Sequence, residues 1–136
     1  MSAAVAVVPG SVADRRLRSD LYAWLTTVGG DMQPHSSLVL FYWNGSDVLV
    51  YTIPDRRKVG NIEAHSKVSV NLNAEPDGGG VVTLAGTARL RYGADTALGY
   101  LDKYSELLAG FGLSPEEFER QYSIEVRITP IRVRAW

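Results

Sequence analysis

The chain contains no cysteine and only two histidines. The first absence excludes disulfide bonds, thiolate nucleophiles and cysteine-ligated zinc or iron–sulfur sites. The two histidines, His35 and His65, lie far apart in the sequence, and neither is spaced as a metal-binding pair, so we expect no metal site. No acid–base pair is evident from residue spacing either.

An excess of charge of either sign is also missing, because the net charge is −1. Such a balance gives no global field toward nucleic acid or an acidic membrane, and we predict neither as a partner. The apolar opening segment MSAAVAVVPG is too short to span a bilayer and lacks the basic start of a secretion signal. We expect residues 1–10 to form a flexible N-terminal tail and the protein to be cytoplasmic.

The remaining residues, 11–136, have the length of a single domain. Their hydrophobic periodicity predicts six strands and three or four short helices, and Asn44-Gly45 is a typical tight turn between two of the strands. The predicted strands are Tyr22–Val28, Pro34–Trp43, Val48–Thr52, Lys67–Leu72, Val81–Leu90 and Tyr122–Ala135. Short connections favour antiparallel pairing. We therefore predict a mainly β (α+β) fold, a six-stranded antiparallel split or closed barrel with short flanking helices. Gly86, inside a strand, indicates a bulge or a close backbone approach.

The most informative segment follows the third predicted strand. If Asp55 caps the next helix, Arg56, Arg57 and Lys58 all fall in its first turn, where each cation is unfavourable by roughly 0.3–1 kcal/mol. A bound phosphate would reverse that sign, because free backbone N–H groups, these cations and the Thr52 hydroxyl would converge on it. Two interpretations stay open at this point, a phosphate site and a basic patch that is simply solvated.

A second candidate is the polar start of the second predicted strand. Strand alternation places His35 and Ser37 on one face and Ser36 on the other. These polar residues fit either a rim of the barrel at which a ligand binds or the solvent-exposed end of a strand. Asn61, one turn into the helix after the basic segment, is a candidate to bond the same ligand or to satisfy a nearby carbonyl.

The order and spacing of several short motifs resemble the pyridoxamine 5′-phosphate oxidase-like split-barrel superfamily. The resemblance is strongest to its actinobacterial branch of flavin- or deazaflavin-dependent oxidoreductases, which use FMN or coenzyme F-420. It covers nearly all of residues 11–136. The motifs that carry it are Trp24–Val28, Pro34–Ser36, Phe41–Gly45, Tyr51-Thr52, Lys58–Ile62, Gly86–Ala88, Lys103-Tyr104, Ser114–Phe118, Tyr122-Ser123 and Arg127–Pro130.

This resemblance implies a homodimer with a cofactor at each end of the subunit interface. It also implies that Thr52 and Lys58 hold the cofactor phosphate, with Arg56 and Asn61 in support. By the same resemblance, His35, Ser36 and Ser37 lie near the cofactor ring.

The function we predict is hydride transfer from reduced F-420 to an unsaturated or quinone-like small molecule. The proton would come from solvent or through His35 or Tyr51. Two alternatives remain, an FMN-binding oxidoreductase of the pyridoxamine-phosphate-oxidase-like type and a non-catalytic protein that binds a flavin, a deazaflavin or haem.

Overall fold

A computed structural model describes residues 6–136 of the chain, so half of the predicted tail, residues 1–5, lies outside the described residues. Of the other half, Val7 is only 3% exposed and packs in the core. The described residues form seven strands and four helices. The strands are β1 (Tyr22–Val28), β2 (Pro34–Leu40), β3 (Tyr42–Trp43), β4 (Val48–Thr52), β5 (Lys67–Asn71), β6 (Val82–Tyr92) and β7 (Ile124–Ala135), and the helices are α1 (Val12–Ser19), α2 (Arg57–Ala64), α3 (Leu98–Gly110) and α4 (Pro115–Gln121).

The predicted number of strands, six, is wrong because the predicted strand Pro34–Trp43 divides at Phe41 into β2 and β3. At Phe41 the chain leaves the β-ladder, and the backbone of this residue bonds two side chains of α3 instead. Its N–H donates to the Tyr104 hydroxyl at 2.9 Å, and its carbonyl accepts from Lys103 Nζ at 2.9 Å. Hydrophobic alternation continues through such a break, so the sequence pattern does not reveal it.

All strand pairs are antiparallel, as predicted, in the order β2-β1-β5-β6-β7-β4-β3. Strands β2 and β3 are consecutive in the chain but occupy opposite edges of the sheet. The bend at Phe41 must therefore carry the chain from one edge to the other, and the sheet curls into a split barrel. Strand β4 pairs with β7 on one side and, only at Val48 and Leu49, with β3 on the other, so the split lies between β2 and the rest of β4.

Two hydrophobic cores fill the fold. The first lies inside the barrel and includes Leu25, Val48 and Val126, each without measurable exposure. The second lies outside the barrel, where α3 and α4 cover one face of β4, and it contains Tyr51 and Phe118. The alternation of β4 between the two cores explains why all five of its residues are buried. Within residues 6–136, none of the helices is long and apolar enough to cross a membrane.

Gly86 lies at an irregularity of the β6–β7 pair, as its position in the sequence predicts. Ala85 pairs with Arg132 but Gly86 pairs with Pro130, so Ile131 is an extra residue in β7. A Cβ atom on Gly86 would lie 2.7 Å from the Thr129 carbonyl oxygen. The two backbones therefore approach closely enough to exclude any side chain at this position.

We expect the substitution Gly86→Ala to lower the free energy of unfolding by about 1–3 kcal/mol, because the new methyl group must displace backbone. Denaturant unfolding measures this change. The matched control is Gly110→Ala at the end of α3, where a Cβ atom meets nothing within 4 Å. Equal stability of the two variants would contradict the close approach at Gly86.

Candidate functional site

The basic segment begins α2 differently from the sequence prediction. The N-cap is Arg56, in extended conformation, and not Asp55. A turn in which Arg56 N–H donates to the Ile53 carbonyl, at 3.2 Å, delays the helix by one residue. Among the described residues no side chain caps α2, and its first turn contains no acidic residue. Positive partial charge at this helix end is thus left without a compensating anion.

A cavity of about 440 Å³ opens beside this helix end, over the split between β2 and β4. Its volume is typical of small-molecule sites. Most of its surface is apolar and comes from β2, β4, α3, α4 and the turn that joins the two last helices. Its polar end is formed by Thr52, Arg56 and Lys58. The other lining residues are Leu38, Val39, Leu40, Val50, Tyr51, Tyr100, Leu108, Phe111, Leu113, Phe118 and Tyr122.

The two cations of the cavity differ from their neighbour Arg57. Burial lowers the pKa of the Lys58 ammonium, and the nearby Arg56 guanidinium lowers it further. In the described part of the chain, neither Lys58 nor Arg56 has a carboxylate within salt-bridge distance. Lys58 is half-buried, whereas Arg56 and Arg57 are both exposed; Arg57 does not line the cavity, and its Nη2 lies 3.8 Å from Asp31 Oδ2. A partly desolvated ammonium beside another cation is unfavourable until an anion binds.

Asn61 is buried and anchors α2 to the barrel. Its Nδ2 donates to the Thr27 hydroxyl at 3.0 Å, and Thr27 is 1% exposed. A Cβ atom on Gly29 would clash with Asn61 Oδ1, so the glycine makes room for this amide. Asn61 is not among the cavity-lining residues.

The polar start of β2 follows the predicted alternation. His35 and Ser37 are half-buried, whereas Ser36 is exposed, with its Oγ 2.7 Å from Thr26 Oγ1. The buried atoms His35 Nδ1 and Ser37 Oγ have no hydrogen-bond partner within residues 6–136. These three residues do not line the cavity, but the next three residues of the same strand do.

The aromatic side of the cavity was missed by sequence reasoning. Tyr51 contacts Tyr100 edge to face at 4.8 Å between ring centroids, and Phe118 stacks on Tyr122 at 4.6 Å. The Tyr51 hydroxyl donates to Glu125 Oε2 at 2.9 Å and accepts from Ala97 N–H at 3.0 Å. Burial, with Glu125 beside it, raises the pKa of Tyr51 to about 12. The alternation of β4 and the apolar stripe of α3 were the available signals, but both equally fit a closed core.

Family comparison decides how this arrangement is classified. A protein-family model described as pyridoxamine 5′-phosphate oxidase matches residues 12–136 of the chain. The chain belongs to the pyridoxamine 5′-phosphate oxidase family. The resemblance noted from the motifs is thereby confirmed at the level of the family. No curated protein sequence matches the chain.

Solved structures share the family fold. An F-420 reductase superposes with a TM-score of 0.71 at 20% identity, over 94% of this chain and 98% of that one. A putative pyridoxamine 5′-phosphate oxidase from Listeria innocua gives 0.67 at 18% identity, over 88% and 91%. The haem storage protein of Vibrio cholerae gives 0.66 at 17% identity, over 89% and 90%. At these identities the similarity establishes the split-barrel fold alone.

The structure separates a structural residue from a candidate binding residue within α2. We expect Asn61→Ala to cost about 1–3 kcal/mol of unfolding free energy, since it leaves the Thr27 hydroxyl buried and unpaired. Lys58→Met should leave the stability of the free protein unchanged or slightly higher, because it removes a partly desolvated charge that no carboxylate neutralises. Urea unfolding of both variants tests the contrast. A large loss of stability in Lys58→Met would make the lysine structural.

Proposed function

We propose that the protein is an oxidoreductase that transfers a hydride from reduced coenzyme F-420 to an unsaturated or quinone-like small molecule, with FMN as the alternative cofactor. The observation that carries the proposal is a pair of cations without carboxylate partners, at an uncapped helix start, on an otherwise apolar cavity. Such a cavity suits a ligand that is anionic at one end and flat and apolar at the other. Membership of the pyridoxamine 5′-phosphate oxidase family supports this ligand class.

In this proposal the polar end of the cavity holds the cofactor phosphate. Lys58 and Arg56 supply charge-assisted hydrogen bonds, and the Thr52 hydroxyl and the first N–H groups of α2 supply further donors. The phosphate would relieve the unfavourable proximity of the two cations. Asn61 would position α2, because its hydrogen bond to Thr27 holds the helix against β1 and so directs the helix start toward the cavity.

The apolar part of the cavity would hold the planar ring and the acceptor. The bound cofactor supplies the hydride, so the chain need only align two flat molecules and exclude water. Leu38, Leu40 and the aromatic cluster around Phe118 provide that surface. His35, Ser36 and Ser37 continue β2 beyond this surface, and by the family resemblance they would lie near the cofactor ring. Tyr51 is a weaker proton donor than the sequence suggested, because its hydroxyl is committed to Glu125.

Binding of the proposed cofactor has a direct test in Lys58→Ala. We expect this variant to weaken the binding of FMN or F-420 by about 1.5–3 kcal/mol, the usual effect of losing a charge-assisted phosphate contact. Fluorescence titration of each cofactor measures the dissociation constant. Arg57→Ala is the matched control, since Arg57 follows the N-cap but does not line the cavity and lies near Asp31 instead. Equal losses in the two variants, or none in Lys58→Ala, would contradict the proposed phosphate site.

The same titration with unaltered protein distinguishes the cofactors, because only the correct one should saturate the site at low concentration. Reduction assays with a panel of quinones and unsaturated acceptors then test catalysis. Tight binding without turnover of any acceptor would favour a carrier over an enzyme. The fold similarity to a haem storage protein makes this a specific alternative.

We also propose a homodimer, formed through the outer face of β1 and β2. Tyr22, Trp24 and Leu38 are 41%, 41% and 51% exposed, and Trp24 and Leu38 are directly paired across the two strands. Leu38 also lines the cavity, so this apolar face continues into the candidate site. A second copy seated there would cover both the apolar face and the open side of the cavity.

We expect Trp24→Lys to shift the protein from dimer to monomer in sedimentation equilibrium, because it places a charge in the centre of the proposed interface. Leu98→Lys is the control, since Leu98 is 78% exposed and belongs to α3 and not to β1 or β2. An unaltered protein that is monomeric, or a Trp24→Lys variant that remains dimeric, would refute this interface.

A further inference from the structure

Three arginines gather on the outer face of β6 and β7. Arg89 pairs directly with Arg127 across the two strands, and Arg91 follows Arg89 on the same face of β6. Together with Leu90 they line a second cavity of about 450 Å³. None of the three belongs to the cavity over the split of the barrel.

Two carboxylates lie among these arginines and neutralise them unequally. Arg127 is well paired, with Nε 3.1 Å from Glu125 Oε1 and Nη1 3.3 Å from Asp47 Oδ2. Arg89 and Arg91 make only long contacts, 3.9 Å to Asp47 and 3.5 Å to Glu125. Arg127 bonds the same oxygens, and the other oxygen of each carboxylate is also engaged, because Thr129 donates to Asp47 Oδ1 at 2.8 Å and Tyr51 donates to Glu125 Oε2.

The cluster therefore has three positive charges, two negative charges and spare donors. The side chains of Arg89 and Arg91 are 64% and 57% exposed, and most of their guanidinium N–H groups have no protein acceptor among the described residues. Guanidinium groups bind phosphate and carboxylate oxygens in pairs with matching geometry. Arg127 is held in place by its two ion pairs. The exposed side chains of Arg89 and Arg91 can then bind the same anion beside it.

We propose that Arg89, Arg91 and Arg127 form a binding site for a small polyanion that has two or more phosphate or carboxylate groups. This site is separate from the proposed cofactor site, and the proposal does not depend on it. The buried pair Tyr51–Glu125 connects the two regions, since the Tyr51 ring lines the first cavity while Glu125 bonds Arg127 of the second. Occupancy of the arginine cluster would thus act on a side chain of the cofactor cavity.

Isothermal titration at low salt tests the proposal with two probes, pyrophosphate and citrate. We expect one site per chain outside the cofactor cavity, with affinity that falls at least tenfold in the double variant Arg89→Gln/Arg91→Gln. Arg120→Gln removes the same kind of charge from an exposed position on α4 and should change nothing, and Lys58→Ala should also leave this site intact. The preferred probe identifies the anionic group that the site selects.

A gain of affinity provides an independent test. Asp47→Asn keeps the shape of the side chain and the bond from Thr129 but removes the competing charge, so both Arg89 and Arg127 become freer to bind the probe. We expect tighter binding by severalfold. The proposal is overturned if neither probe binds, if Arg120→Gln weakens binding as much as the double variant, or if binding is lost in Lys58→Ala alone.

Discussion

The break at Phe41 is the constraint on which the rest of the structure depends. A continuous strand from Pro34 to Trp43 would place the whole segment at one sheet edge, and the barrel could not close. The Tyr104 hydroxyl accepts from Phe41 N–H and lies 2.8 Å from the Phe41 carbonyl and 2.6 Å from that of Leu21. Buried backbone groups without hydrogen-bond partners are destabilising. The Tyr104 hydroxyl stabilises the break by bonding the backbone groups that leave the β-ladder there.

The same break creates the site. Because β2 stops at Leu40 and pairs only with β1, Leu38 and Leu40 lie beside β4 across a gap instead of a ladder. Helix α3, which supplies Tyr104 to the break, also supplies Tyr100 and Leu108 to the apolar side of the cavity. The fold and the cavity are therefore two consequences of how one helix packs on one bend.

Most of the fold follows from local patterns in the sequence. The bounds of β1 and β4 agree with the prediction, because hydrophobic alternation is a property of neighbouring residues. The break at Phe41 depends on Tyr104, which is distant in sequence. Local patterns carry no information about such a contact, and the prediction therefore has one strand too few.

The candidate site was predictable only in part, for the same reason. The cations after β4 are visible in the sequence, and the structure brings Thr52, Arg56 and Lys58 together at one end of a cavity. The exact helix start was not visible, because a single turn at Ile53 decides whether Asp55 or Arg56 is the cap. Nor was the burial of Asn61, which depends on Thr27 in a strand far away in the chain.

Electrostatics links these features to function. Within residues 6–136, α2 starts without a side-chain cap, and Arg56 and Lys58 have no carboxylate partner. We expect this uncompensated charge to lower the stability of the free protein slightly, and binding of an anion to offset that cost. The split barrel places this charge beside an apolar surface, so recognition of an amphipathic, planar ligand requires no further specialised residue.

The central claim is that an anionic group of a planar cofactor binds at the start of α2. A crystal structure of the protein with bound FMN or F-420 tests it most directly. In that structure we expect phosphate oxygens of the cofactor within hydrogen-bond distance, about 3 Å, of Lys58 Nζ and of the first N–H groups of α2. A cofactor bound with its phosphate elsewhere, and with Lys58 still in contact with solvent, would contradict the account.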